Sequence, residues 1–450
     1  MPISLFPFVL PKSSYENGLV LNALFHELLL QICKNPEWLF EQLKDMSDDY
    51  TAHLVDIAKR VLRSPTYQPV ICGLIRSDYM IDGETSQMLQ IELNTISCSF
   101  PGVEEKLTAM HRFLLSSHPE SLPSIAEFLH IPLSDIHSFI QSPSFNQTLR
   151  RTAASFAAAV DFYRSLYHPD EACFLLVSQE NENNNSDQFC ITLLLEEVYH
   201  VRCIYQTHTQ LIASMTDTDG VLRVHGHEIA VVYYRSGYTP SDYPTPAQWE
   251  IRERLEAARC IKCPNVLLHL IGCKKIQQQL SLPGFIEPFF DDVEKAKRLR
   301  SCFVPMFPAN LVVEGQPEGL FQEVCNNPLE WVLKPQREGG GYNVWGDDIV
   351  KMLKKGDLNE LNSMILMKRI FPKANDAFHV RESVCCKRSS LNEIGFYSSL
   401  LFDTRDSRMI RTDDIGILVR TKNAESFEGG VSAGYAVMNS PILSSLWFVC

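Results

Sequence analysis

Several features that this sequence lacks narrow its function first. The 450 residues contain no run of five or more basic side chains, and the net charge is -13 at pH 7. That balance argues against nucleic acid as a partner, so any anionic ligand must be met by local arginines and lysines. No apolar stretch is long and clean enough to cross a membrane: segment 19–33 carries Asn22, His26 and Glu27 and reads as an amphipathic helix. The opening MPISLFPFVLP has no basic residues ahead of its apolar ones and is broken by prolines, unlike a secretory signal. The 14 cysteines are therefore expected as free thiols in a reducing cytosol. Cys260 and Cys263 have zinc-like spacing, but no second pair matches them, so they read as structural. Neither GxxxxGK[ST] nor GxGxxG occurs, which excludes the Walker and Rossmann phosphate loops. An apolar content of 45% in a chain of this length suggests two or three globular domains.

What is present centres on residues 330–346, EWVLKPQREGGGYNVWG. A strand-type run ends at Lys334 and Pro335, and a second begins after Gly339, Gly340 and Gly341. Three glycines cost backbone entropy and suit a place where N–H groups approach an anion closely. Lys334 adds a point charge for phosphate, and Glu338 a hard oxygen for a phosphate-bound cation.

Along the rest of the chain, residues 1–66 read as helical, with Leu21, Leu24, Phe25, Leu28 and Leu29 on one face. PVICGLIRSDYM reads as a strand ending at Arg76. In LQIELNTI the apolar and polar residues alternate, placing Gln90, Glu92 and Asn94 on one strand face. Glu92 and Asn94 would then offer oxygens to one point, as Mg²⁺ requires; on the pattern alone, a half-exposed strand with a polar outer face is the stronger reading. Residues 103–168 read as helical, ACFLLVS as a strand, and QENENNNSDQ as a flexible loop. The apolar run 229–234 reads as a strand buried on both faces, ending at Arg235-Ser236-Gly237-Tyr238, where an arginine beside a glycine fits carboxylate capture or a simple cap. Further helices are expected at 249–258 and 347–355, and a strand at 363–370. Arg420 and Lys422 share a strand face, and Gly429, Gly430 and Gly434 form a second flexible loop, a candidate lid.

KPQREGGG, IELNTISCSF, RSGYTP and ILVRTKNAESFEGGVSAGYAV together resemble eukaryotic-type glutathione synthetases of the ATP-grasp superfamily, in the family's order from about residue 74 to residue 434. The resemblance implies an α/β ATP-grasp fold with an inserted α/β substrate-binding subdomain and glycine-rich lid loops. Residues 1–171 would form an N-terminal helical and ATP-grasp part, 172–271 the substrate-binding subdomain, and 272–450 the part with the glycine-rich loop and lid. It makes Arg76 and Arg420 catalytic ligands of the substrate. Ile96, Ser97, Cys98, Ser99, Glu182, Asn183, Asn184, Gln188, Arg235, Ser236, Gly237, Tyr238, Val431 and Ser432 would complete the substrate site. Glu92, Asn94 and Glu338 would bind Mg²⁺. ATP would contact Glu92, Lys274, Lys334, Gly339, Gly340, Gly341, Asn343, Trp345, Met367, Lys368, Arg369, Ile370, Glu393, Lys422 and Glu428. The sequence departs from the family's pattern at Lys368 and Arg369, where an acid and a lysine are usual, at Ser432 for Ala and at Glu428 for Asp. The tail PILSSLWFVC does not match the family's ending and is expected to be disordered or variant. A cytoplasmic homodimer without membrane or nucleic-acid partners is carried over with the family.

The implied reaction joins γ-glutamylcysteine to glycine with ATP through an acyl phosphate. Two alternatives stay open: the same ligation with another acceptor such as β-alanine or serine, and a catalytically silent paralogue that binds nucleotide.

Overall fold

The computed structural model describes residues 1–336, 341–431 and 433–445. Its backbone is a 13-stranded mixed sheet whose main path runs from the strand Asn375–Arg381 through Ile3–Ser4, Ala436–Asn439, Arg408–Asn423, Val384–Asp403, Val70–Ile81, Ile261–Cys263, His227–Tyr234 and Cys173–Ser178 to Cys203–Thr207. The strands from Ile261–Cys263 to Cys203–Thr207 pair in parallel with one another, and Ile261–Cys263 pairs in parallel with Val70–Ile81. Their residues alternate between two cores, as expected when helices cover both faces. Phe174 and Leu176 pack with Phe156 and Ile191, whereas Cys173, Leu175 and Val177 pack with Ile251 and Leu255. Val384–Asp403 is antiparallel to both Val70–Ile81 and Arg408–Asn423. A separate four-stranded antiparallel sheet contains Met306–Pro308, Met364–Lys368, Trp331–Pro335 and Val344–Trp345.

The expected helices and strands at 249–258, 347–355, 229–234 and 363–370 appear as Pro246–Ala257, Asp347–Lys355, His227–Tyr234 and Met364–Lys368. Leu21, Leu24, Phe25, Leu28 and Leu29 are all buried on the helix Lys12–Lys34. Four expectations need correction. Residues ahead of that helix are not helical: prolines interrupt them, and Ile3–Ser4 and Phe8–Pro11 are strands. The tail is not loose where it is described, since Pro441–Ser444 pairs in parallel with Phe8–Pro11; residues 446–450 lie outside the described residues. The loop expected at QENENNNSDQ becomes helix from Asn185 onward, with Gln188 buried in its first turn. Finally, the strand at Arg76 continues to Ile81, because its charged residues find partners on strands far along the chain.

Candidate active site

A cavity of about 510 Å³ opens between the two sheets, and its floor is made by side chains of Val70–Ile81, Met88–Asn94, Val384–Asp403 and Arg408–Asn423. Asp78 is the hub of that floor, although its own side chain is fully buried. Its carboxylate accepts from Arg76 Nε and Nη2 at 2.7 and 2.9 Å, from Arg420 Nη2 at 2.7 Å and from Asn94 Nδ2 at 2.9 Å. Arg420 also pairs with Glu393, and one carboxylate oxygen each from Asp78, Glu92 and Glu393 lies within 4.8 Å of the others. A glycine is required beside this knot: a Cβ on Gly395 would stand 2.6 Å from Asp78 Oδ1 and 2.8 Å from Arg76 Cδ.

Strand register explains which polar residues face the floor. Asp78 pairs with Glu92, but Tyr79 pairs with Gln90, so a bulge intervenes. Glu92 and Asn94 keep one face, with Asn94 Nδ2 3.3 Å from Glu92 Oε1. Gln90 does not share it, contrary to the simple alternation; it donates to Ser77 Oγ at 2.7 Å, on the other side of the sheet.

Three lysines reach the same space. Lys274 Nζ stands 3.9 Å from Glu92 Oε2, Lys334 Nζ donates to Ile91 O at 3.1 Å, and Lys422 Nζ to Phe427 O at 2.8 Å. Burial alone would push the Glu92 carboxyl up, but Lys274, Lys334, Arg420 and Arg76 outweigh it and hold the group at about 2. Burial draws Lys334 down to about 8, opposed by Glu92, and it lowers Lys422 as well. Glu393 is shifted upward by burial against the pull of Arg420.

The roof consists of loops. Glu428 accepts from the Gly341 N–H at 3.1 Å, Asn343 Nδ2 at 3.4 Å and Trp345 Nε1 at 2.8 Å, so it ties the second glycine loop to the first. Trp345 stacks on Phe427 with centroids 5.6 Å apart, and the Arg369 guanidinium lies 5.5 and 5.1 Å from their rings. Met367, Lys368, Ile370, Val431 and Gly430 also line the cavity. The Lys368 ammonium itself turns to Glu330 at 2.6 Å and lies over the Trp331 ring. Glu338, Gly339, Gly340 and Ser432 lie outside the described residues.

On the third side is the turn after Asn94. Ile96, Ser97, Ser99 and Tyr238 line the cavity, whereas Cys98 turns its thiol into the interior, toward Leu74 O at 3.1 Å. Ser97 and Phe100 have φ of 53° and 79°, an unfavourable left-handed conformation for residues with a Cβ. Two buried charges hold that turn. Arg235 donates to Cys98 O at 2.7 Å and Ser99 Oγ at 3.3 Å, and Asp187 accepts the N–H groups of Phe100 and Gly102, both at 2.7 Å. Arg235, Ser236, Gly237, Glu182, Asn183, Asn184 and Gln188 are not among the residues lining the 510 Å³ cavity. Glu182 accepts from Asn184 N and Gln188 Nε2, and the Gly237–Thr239 N–H groups converge on Asp242 Oδ2 at 2.9–3.2 Å.

A larger cavity, about 720 Å³, lies on the reverse face of Val384–Asp403, taking Asn392 and Ile394 where the first takes Leu391 and Glu393. Its amides from Asn375, Asn392 and Asn439 already bond to one another, Thr421, Asp376 O and the Ser440 N–H. The smaller cavity, with its converging acids and bases, is the candidate site.

The sequence model described as eukaryotic glutathione synthase, ATP binding domain, matches residues 1–443. The chain belongs to the eukaryotic glutathione synthase family. It is 34% identical to the chloroplastic glutathione synthetase of Arabidopsis thaliana over 98% of this chain and 78% of that protein. It is also 34% identical to the human glutathione synthetase, over 98% and 89% respectively. The fold resembles that of a glutathione synthetase-like effector from Globodera pallida, with a TM-score of 0.73 and 19% identity over 98% of this chain and 90% of that one. Against this family background, Asp78, Asp187 and Asp242 are the residues that sequence reasoning missed. Asp78 was legible as the partner two places after Arg76 on one strand face; Asp187 and Asp242 sat in segments whose polarity resembled ordinary loop.

Proposed function

We propose that this protein is a glutathione synthetase, with an ATP-grasp arrangement in which the two sheets clasp the nucleotide. It ligates γ-glutamylcysteine to glycine with ATP, giving glutathione, ADP and phosphate. The observation that carries the reading is the convergence of Glu92 and Glu393 with Lys274, Lys334, Lys422, Arg76 and Arg420 on one cleft. A carboxylate is a poor acyl donor, so the dipeptide's glycine-accepting carboxyl is first phosphorylated, and the amine of glycine then displaces phosphate. Such chemistry depends on placing charges more than on a protein nucleophile. Lys274, Lys334 and Lys422 hold the phosphates; Arg420 and Arg76 orient the dipeptide above the Asp78 hub. The 96–99 turn, held by Arg235, receives the peptide together with Tyr238, and Glu182, Asn183, Asn184, Gln188, Ser236 and Gly237 complete the substrate site behind it. The adenine lies against Met367–Ile370 and the Arg369–Trp345–Phe427 stack, and Val431 and Ser432 flank the incoming amine. Closure of the loops around Gly341 and Gly430 shields the acyl phosphate from water.

Glu92 fits a magnesium ion as a hard-oxygen donor that stays ionised; Asn94, on the same strand face with its Nδ2 donating to Asp78 and Glu92, is the second candidate ligand. Glu338 is the third candidate ligand. Bound magnesium would neutralise phosphate charge. The same reading divides the chain at 171 and 271, and makes the protein a cytoplasmic homodimer.

The test is ADP release with γ-glutamylcysteine. Release dependent on glycine supports the reading. Equal release with β-alanine or serine moves the acceptor, and no release with any of them leaves a nucleotide-binding paralogue.

A further inference from the structure

We propose that Glu171, Cys173 and His227 form a second metal site, of the zinc type, at the edge of the sheet away from the reaction cavity. One ligand atom from each residue lies within 4.8 Å of the other two. The three donors differ in chemistry, a carboxylate oxygen, a sulfur and an imidazole nitrogen, and zinc accepts all three at about 2.0–2.3 Å. Magnesium would not choose a thiolate.

Topology brings them together. Glu171 and Cys173 are two apart where the strand Cys173–Ser178 begins, and His227 opens the adjoining parallel strand, whose Ile229 is the register partner of Cys173. These are the amino ends of the strands; Arg235 and the candidate cavity lie past the carboxyl ends. His227 Nδ1 already stands 2.7 Å from Glu171 Oε2. The Cys173 thiol bonds to the same carboxylate, and burial with that charge pushes it up to about 12. It is therefore an inert thiol until a cation displaces its proton to solvent, which makes metal affinity rise with pH. Two arginines, Arg202 and Arg164, act on the set, and the Cys203 thiol lies within its electrostatic reach. Arg202 Nη1 is 3.4 Å from both Glu171 Oε1 and His227 Nδ1, but its side chain is 55% exposed and free to swing outward. With the thiolate and carboxylate ionised, a divalent ion leaves the cluster neutral, with one position open to water. Such an ion would clamp the two strands and stabilise this half of the sheet.

The experiment is Co²⁺ titration of the full chain in a Cys385→Ser/Cys386→Ser background, which removes the adjacent surface-side thiols. The expected result is one equivalent of Co²⁺ with a thiolate-to-cobalt charge-transfer band, displaced by Zn²⁺, abolished in Cys173→Ser and at least tenfold weaker in His227→Ala. The oxygen-only set of Asp78, Glu92 and Glu393 cannot produce that band. ADP release should be unchanged in His227→Ala. Absence of the band, or its persistence in Cys173→Ser, overturns the proposal; if Cys173→Ser loses its circular dichroism, unchanged Co²⁺ affinity in His227→Ala overturns it instead.

Discussion

The floor and the roof of the cleft are built on opposite principles. Floor residues project from the strands of the large sheet, and Arg76, Asp78 and Asn94 are buried and bonded to one another before any ligand arrives. Roof residues come from loops: Phe427 is 44% exposed, and Glu428 alone accounts for three of the bonds between the two glycine-rich segments. The floor holds its charges in place, because moving one means breaking ion pairs in a low-dielectric setting. The described roof contacts lie nearer solvent, where local opening costs less than in the core. A ligase that must admit three substrates and then exclude water needs both kinds of construction.

That contrast can be broken from the floor first. Asp78→Asn should cost roughly 3–5 kcal/mol of stability in denaturant unfolding, since Arg76 and Arg420 lose their shared buried counter-charge. A loss below about 1 kcal/mol would mean the hub is not preorganised. From the roof, Glu428→Ala should leave unfolding nearly unchanged while raising KM for ATP by about tenfold, the worth of one or two hydrogen bonds on closure. An equal loss of stability in both variants would erase the distinction. The smallest effect is electrostatic. Lys334, drawn down by burial to about 8, carries its charge below that pH and loses it above. KM for ATP should therefore rise as pH passes through that value, by up to about tenfold per unit, and Lys334→Arg, which stays charged, should flatten the rise. A wild-type KM that is flat across that range would remove Lys334 from phosphate binding.

Local pattern made much of this legible. The alternation around Glu92 and Asn94, and the pair Arg420 and Lys422, put four site residues on strand faces that the structure brings together. Pattern failed where the deciding partner is remote. The strand read as ending at Arg76 runs on because Asp78, two places later, pairs with that arginine, and Arg420 and Glu393, remote in sequence, complete the cluster. Gln90 was placed on the wrong face because one bulge reverses a period of two. The helix at Asn185 was hidden by asparagines, which signal turns by themselves but here precede a helix anchored by Asp187 to Phe100 and Gly102. Ile3–Ser4 and Pro441–Ser444 are too short to be recognised without the strands they join.

We propose that Glu92, on the floor, shares a divalent ion with the nucleotide. Mn²⁺ affinity, measured by electron paramagnetic resonance with a non-hydrolysable ATP analogue bound, addresses it most directly. Glu92→Gln should weaken Mn²⁺ binding to the protein–nucleotide complex by at least about tenfold, as expected for loss of a charged oxygen ligand. Affinity equal to that of the unaltered protein would contradict the account.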